Sequence, residues 1–293
     1  MGGVVGVARL SPNYLIRKTA SFYIEFFRNI PLLLQIFFWY FAALRALPMP
    51  EDASLIFGSS FMTIKGFYTA APIWNNFDVF FIALIISMVL IFFFARFAKK
   101  KQEQEGKQLP VLFISLAIFI GLPSLTFLIG GVDLSFSFPE IRKMSQSSYT
   151  FDGGMKIPPE LIALTLALTL YTATFIAENV RAGIQGISKG QKEAASSIGL
   201  TPNQVLKLVV MPQALRIIIP PTTNQYLNLT KNSSLAAAIA YPDLVLVFAG
   251  TAMMQTGKAI EIVGITMATY LSISLAISLL MNWYNKRIAI QEK

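Results

Sequence analysis

The chain has 293 residues, of which 55% are hydrophobic and only 13% charged, whereas a soluble domain carries roughly 45–50% apolar and about 25% charged residues. Mean hydropathy is +0.60 and the apolar residues fall in long blocks, so the composition describes an integral membrane protein with room for roughly six to eight crossings. Neither Cys nor His occurs, which removes disulfides, thiolate zinc sites, thiol nucleophiles, the Ser-His-Asp triad and the commonest transition-metal ligand.

Residues 1–8 (MGGVVGVA) read like the inner end of a helix but are too short to span. No charged segment precedes an apolar core there, so this is not a secretory signal. Gly6 stands where a myristoylation signal needs Ser or Thr. The chain therefore starts inside a helix, or this end packs at the interface. Six apolar stretches follow, at residues 24–47, 79–95, 109–130, 161–177, 217–248 and 262–283. Most are long enough to cross about 30 Å of hydrocarbon as a helix. The fifth is interrupted by Pro220, Pro221 and a polar centre. Segments 48–77 and 131–160 read as extracytoplasmic loops, and neither resembles a soluble domain. The expected fold is all-α: a polytopic membrane helical bundle, one transmembrane domain over residues 1–293.

Alternating crossings put Arg9, Arg17, Lys18 and Arg28 on the same side as Arg96–Lys107, the cations of residues 181–216, and Lys286, Arg287 and Lys293. That side holds most of the 24 Lys and Arg residues, which marks it as cytoplasmic and puts the C-terminus there. The net charge of +9 would suggest nucleic acid in a soluble protein. Cationic cytoplasmic loops account for it here, and the expected contact is the lipid bilayer, with no nucleic acid.

The most informative segment is residues 186–212, GISKGQKEAASSIGLTPNQVLKLVVMP. Ser188 and Gln191 have capping-box spacing, so a short helix starts near Lys189. Gly199 suits a left-handed stop. Thr201 then offers an N-cap, Pro202 suits the first helical position, and Gln204 the third. A second helix runs to Met211, where Pro212 disturbs it. The result is a helix, a Gly elbow and a helix at the cytoplasmic face. Ala194 and Ala195 permit close approach by another surface, and Glu193 near the helix start can pair with a partner's Arg. Read from physics alone, an ordinary interfacial helical hairpin fits as well.

Three stretches carry a resemblance. Glu193-Ala194-Ala195, Gly199, Val209, Met211 and Pro212 are spaced like the EAA signature of ABC importer permeases, with Val209 and Met211 where Ile and Leu are usual. Residues 27–35 (FRNIPLLLQ) resemble the FRxxPLLxQ segment of the polar amino-acid uptake permeases. Pro220-Pro221 followed by Lys231-Asn232-Ser233-Ser234-Leu235 resembles their PP…LxKxSSL segment. The insert between Leu47 and Leu109 is most similar to permeases of general L-amino-acid importers.

The resemblance implies the transmembrane-subunit architecture of a type I ABC importer. In that family two permeases, identical or paralogous, form a pore. The EAA loop couples through Glu193, Ala194, Ala195, Gly199 and Pro212 to separate ABC ATPase subunits, which bind the ATP and Mg. A periplasmic or lipid-anchored binding protein delivers the amino acid. No cofactor is expected in this chain, nor is it expected to be an enzyme. Residues 250–259 (GTAMMQTGKA) only imitate a Walker A loop. Family members carry a further crossing before the segment matching residues 6–10, so the chain is expected to be N-terminally truncated.

Polar groups inside a membrane are costly and default to functional candidates. In helical conformation Asn224, Asn228, Lys231 and Asn232 share one face. A pore-facing Lys suits an α-carboxylate, and Asn232, Ser233 and Ser234 offer hydrogen bonds. Pro220-Pro221 would free backbone groups nearby, as in broken transporter helices. Two blander readings stand beside this one: Lys231 snorkels or pairs with Glu178 or Asp243, and the amides glue helices. Glu178 and Arg181 have the spacing of a local ion pair. An ion-coupled secondary transporter of small polar solutes is the alternative function.

Overall fold

The computed structural model describes residues 1–106, 109–129, 131–145 and 148–288. Lys107, Lys293 and Gly130, which the sequence reading used, lie outside the described residues. Among those described, five helices are long and apolar enough to cross a membrane, or six when one bent pair counts as a span. The chain divides into two compact units, Met1–Leu47 with Ile157–Lys293, and Pro48–Lys156.

The first unit is arranged around helix α6 (Pro159–Gln185). Of its apolar window 44% is buried, against 11% for the terminal helix α10 (Ala259–Ile288). Ala163, Ala167, Ala173 and Ala177 are all buried. In lipid there is little hydrophobic gain between helices, so small side chains that admit close van der Waals packing decide which faces meet. The N-terminal residues use this. They form helix α1 (Gly2–Ala8) against α6, where a Cβ on Gly2 would lie 2.7 Å from Ile176 Cβ and one on Gly6 would lie 2.6 Å from the Ala177 carbonyl oxygen.

The expected stretch at residues 24–47 is not one helix. Helix α2 (Tyr14–Asn29) and helix α3 (Leu32–Ala46) meet at 101°. Asn13 caps α2, its Oδ1 accepting from the backbone N–H groups of Leu15 and Ile16. The break follows from Pro31. Its ring excludes the helical conformation at Ile30, which is extended at φ −92°, ψ 128°. It also has no N–H to give the Phe27 carbonyl. Gln35 replaces that donor: its Nε2 donates to the carbonyls of Phe27 (2.7 Å) and Ile30 (2.9 Å), and the side chain is buried. The Pro and Gln of the FRNIPLLLQ segment thus break the helix and then satisfy the break.

The fifth stretch also differs from expectation. Helix α8 (Pro202–Ile239) is continuous for 38 residues, starting well before residue 217 and stopping before residue 248. Pro212 does not end it. A wider π turn over Val205–Val210 precedes the Met211-Pro212 step and takes up the mismatch that a proline ring imposes on the preceding turn. Pro220 and Pro221 sit inside the helix and leave the carbonyls of Arg216 and Ile217 without their usual N–H donors. The last turns tighten to a three-residue period over Ser233–Ile239, and Ala240 in the left-handed region (φ 58°) ends the helix. Asp243 then accepts from the Leu246 N–H at 2.9 Å at the start of a short apolar helix, α9 (Val245–Thr256).

The second unit holds helix α4 (Phe77–Glu105) and helix α5 (Val111–Leu128). The segments read as loops carry eight short strands: β1 (Leu55–Ile56), β2 (Ser60–Thr63), β3 (Gly66–Thr69), β4 (Ala71–Asn75), β5 (Asp133–Ser137), β6 (Glu140–Ser145), β7 (Ser148–Asp152) and β8 (Met155–Ile157). They form a sheet of order β1-β2-β3-β8 and two antiparallel ribbons, β4 with β5 and β6 with β7. Phe151 packs on Phe61 and Tyr68, with ring centroids 4.9 and 4.1 Å away. The helical bundle stands as expected, with this small β structure added to its loops.

Gln35→Ala leaves the two carbonyls at the break unpaired and should lower stability by about 1–3 kcal/mol. Gln35→Glu should fail to restore it, since a carboxylate has no N–H to donate. Thermal unfolding of the purified protein in lipid nanodiscs checks both.

Candidate functional site

The elbow forms as its residues dictate. Ser188 caps helix α7 (Lys189–Ser197), its Oγ accepting from the Gln191 N–H at 3.4 Å. The Gln191 side chain accepts from Gln213 Nε2 and does not close a capping box. At the other end Gly199 adopts φ +85°. Its N–H bonds the Ser196 carbonyl at 3.0 Å and the Leu200 N–H bonds the Ala195 carbonyl at 3.3 Å, the Schellman pattern that only a left-handed residue closes without strain. Thr201 and Gln204 form a complete capping box with Pro202 at the first turn, so α8 starts one residue beyond the Leu200 turn.

Inside the elbow a cluster of Ile187, Ala195, Val205, Val210, Ala214 and Ile218 is buried, with Val180, Ile184, Leu200 and Val209 around it. This corrects one expectation. Glu193 and Ala194 are exposed, and so are Gly199 and Pro212, but Ala195 is only 5% exposed and faces the elbow's own core. Its methyl lets α7 fold down onto α6 and α8, and only Ala194 of the pair is open to another surface. Ile198, beside the Gly199 turn, is 78% exposed.

Above the elbow, Glu178 gathers three guanidinium groups. Arg9 NH1 lies 2.6 Å from Oε1, Arg181 Nε 2.7 Å from Oε2, and Arg28 NH1 3.8 Å from Oε1. Arg9 also approaches Glu25 at 3.6 Å. The Glu178–Arg181 pair is the local one its spacing suggests. Arg9, directly after α1, and Arg28, in α2, lie more than 140 residues away in sequence, and nothing in local spacing points to them. The resemblance gave one signal, since Arg28 is the Arg of the FRNIPLLLQ segment.

The polar candidates sort by exposure. Asn224, Asn228 and Lys231 are exposed on α8 at one-turn and two-turn spacing. Asn232, Ser233 and Ser234 are half-buried. The Ser233 and Ser234 hydroxyls donate back to the carbonyls of Thr230 and Lys231, each at 2.7 Å, so their protons are already used. Lys231 forms no ion pair among the described residues: Glu178 is occupied by arginines, and Asp243 keeps one buried oxygen, Oδ2, without a partner. Residues 250–256 of the Walker A imitation are helical, in α9, and Gly257 (φ +67°) closes the turn after them.

A broken entry helix, a self-packed elbow fused to a long span, and an exposed polar face on that span define a multi-pass transport subunit. Residues 108–290 match the family described as binding-protein-dependent transport system inner membrane component, and the chain belongs to that family. It is 51% identical to the "Putative amino-acid ABC transporter permease protein YhdX" of Escherichia coli K12 over 294 residues, covering 100% of this chain and 74% of that protein. It is 47% identical to the "General L-amino acid transport system permease protein AapQ" of Rhizobium johnstonii, covering 100% and 72%. A solved structure described as "Crystal structure of an amino acid ABC transporter with histidines" shares the fold, with a TM-score of 0.53 at 20% identity over 98% of this chain and 83% of that one. The chain is therefore an inner-membrane, multi-pass permease.

Four substitutions probe this geometry. Gly199→Ala should loosen the elbow by about 1 kcal/mol, while Gly199→Asn, which tolerates the left-handed region, should cost less. Hydrogen exchange at residues 189–200 reads the difference. Glu178→Ala should lower the melting temperature more than Arg28→Ala, because it removes the shared partner of three guanidinium groups while Arg28 is the most distant and most exposed of them.

Proposed function

We propose that this chain is the pore subunit of an ATP-driven, binding-protein-dependent amino-acid importer, and that the elbow of residues 186–212 docks on a separate ABC ATPase subunit in the cytoplasm. Glu193, Ala194 and Gly199 form the outward surface of that lever, with Pro212 exposed at the root of α8. Ala195 holds the lever closed from within. One observation carries the reading: α7 packs through Ala195 on Val205, Val210, Ala214 and Ile218 of α8, and α8 itself carries the polar face. From Pro202 to Lys231 that helix is roughly 44 Å long. A displacement of α7 therefore reaches Asn224, Asn228 and Lys231 through the packed elbow and then along α8.

Within that reading Lys231 attracts a substrate carboxylate, and Asn224, Asn228 and Asn232 offer amide hydrogen bonds. Ser233 and Ser234 shape the end of the helix. The amino-acid substrate follows from the names of the relatives and from the polar character of the face. The chain performs no catalysis, and ATP and Mg are bound by the partner ATPase. The other partners are a second permease, identical or paralogous, and a periplasmic or lipid-anchored binding protein. The cationic loops support a cytoplasmic C-terminus.

Reconstitution tests this. ATPase activity stimulated by loaded binding protein should appear only when the chain is combined with its ATPase and binding protein. Gly199→Arg should abolish stimulation without preventing insertion: a Cβ at Gly199 meets nothing within 4 Å, and the left-handed strain of about 1 kcal/mol is local to the elbow. Wild-type transport by that variant would overturn the coupling role. Lys231→Met should slow uptake roughly tenfold, the effect of losing about 1.4 kcal/mol of charge-assisted contact. Unchanged uptake would remove Lys231 from the pathway.

A further inference from the structure

Helix α2 has three faces. Ala20 and Ile24 are buried against the bundle. Arg17, Lys18, Glu25 and Arg28 form the polar face. The third face is an apolar stripe of Leu15, Phe22 and Phe26, 72%, 68% and 48% exposed. Between α1 and α2 lies an open groove of about 470 Å³, lined by apolar residues that include Val4, Ala8, Ile16 and Tyr23. A buried helix would cover the stripe, and a helix at an aqueous surface would not carry it.

Orientation comes from α6. The Tyr23 hydroxyl donates to the Leu170 carbonyl at 2.9 Å, inside the span. Arg28, about 140° around α2 from Tyr23, reaches Glu178 two turns nearer the C-terminal end of α6. So α2 crosses α6 with its Tyr23 side toward the hydrocarbon and its cationic side toward the end of the span. The 101° bend at Pro31 lets α2 and α3 take different directions relative to a bilayer. Arg17 and Lys18 form no ion pair among the described residues. Two such cations on the aqueous side of α2, with an apolar groove on its hydrocarbon side, match an anionic headgroup above acyl chains.

We infer that α2 lies in the plane of the cytoplasmic leaflet and that the α1–α2 groove seats an acyl chain of an anionic phospholipid whose headgroup meets Arg17 and Lys18. The inference rests on the topology proposed above. The chain contains no Cys, so single-Cys variants of the full chain report one position each. In vesicles of phosphatidylglycerol and phosphatidylcholine, nitroxides at Phe22→Cys and Phe26→Cys should be accessible to oxygen and shielded from aqueous nickel complex, and one at Lys18→Cys should be the reverse. Nickel access at Phe22, or protection there from both agents by a covering protein such as a second permease, overturns the lipid seat. A fluorophore at Leu15→Cys, which lines the groove, should be quenched more by brominated phosphatidylglycerol than by brominated phosphatidylcholine, by roughly fivefold per cation. Arg17→Gln with Lys18→Gln should abolish that preference. Equal quenching by both lipids in the otherwise unchanged chain overturns the anionic assignment. Sidedness is read separately from Gly190→Cys with a membrane-impermeant maleimide. External labelling there would sink the topology while leaving the depth of α2 as measured.

Discussion

Glu178 is the point on which the first unit turns. A carboxylate near the end of a span is stable only with compensation, and here that comes from α1, α2 and α6 itself. The packing around it is directional but not hydrophobic in origin. Small residues on α6 bring the backbones together, and the ion cluster then fixes which way α1 and α2 face. Removing the apolar match would leave the charges without a frame. Removing the charges would leave α1 held by its close glycine contacts and α2 by the Tyr23–Leu170 hydrogen bond.

The elbow shows a second economy of means. Three local devices, the Ser188 cap, the Gly199 turn and the Thr201 capping box, place α7 beside the root of α8 with few long-range demands. The buried cluster around Ala195 then closes it. Its outer surface is consequently free of structural duty. Glu193, Ala194 and Ile198 do not hold the fold together, so they are available for recognition.

Much of this was legible in the sequence, and the reasons differ by element. The spans announce themselves because bilayer thickness imposes length and composition at once. The elbow was readable because caps and turns are written in single residues at fixed offsets. What escaped was everything closed by distance along the chain. Arg9 and Arg28 meet Glu178 only after three helices assemble. Strand β4 pairs with β5 more than 50 residues later, and strands of two to six residues leave too little alternation to notice. The kink at Pro31 was hidden because residues 24–47 are apolar on average, despite Glu25, Arg28, Asn29, Gln35 and Arg45, and hydropathy does not register a missing N–H. The prolines of α8 misled in the opposite sense. A π turn absorbs Pro212, and Pro220-Pro221 remain helical where two lost hydrogen bonds had suggested a break.

Those two lost bonds have a mechanical corollary. Pro220 and Pro221 lie between the lever and the polar face, and they remove two adjacent rungs from the α-helical stretch between the π turn at Val205–Val210 and the tightened turns at Ser233–Ile239. Helix α8 is therefore compliant near its middle, like a rod with a flexure cut into it. Torque applied at the root would emerge as a change of tilt at Asn224–Lys231 more readily than as a uniform slide of the whole rod.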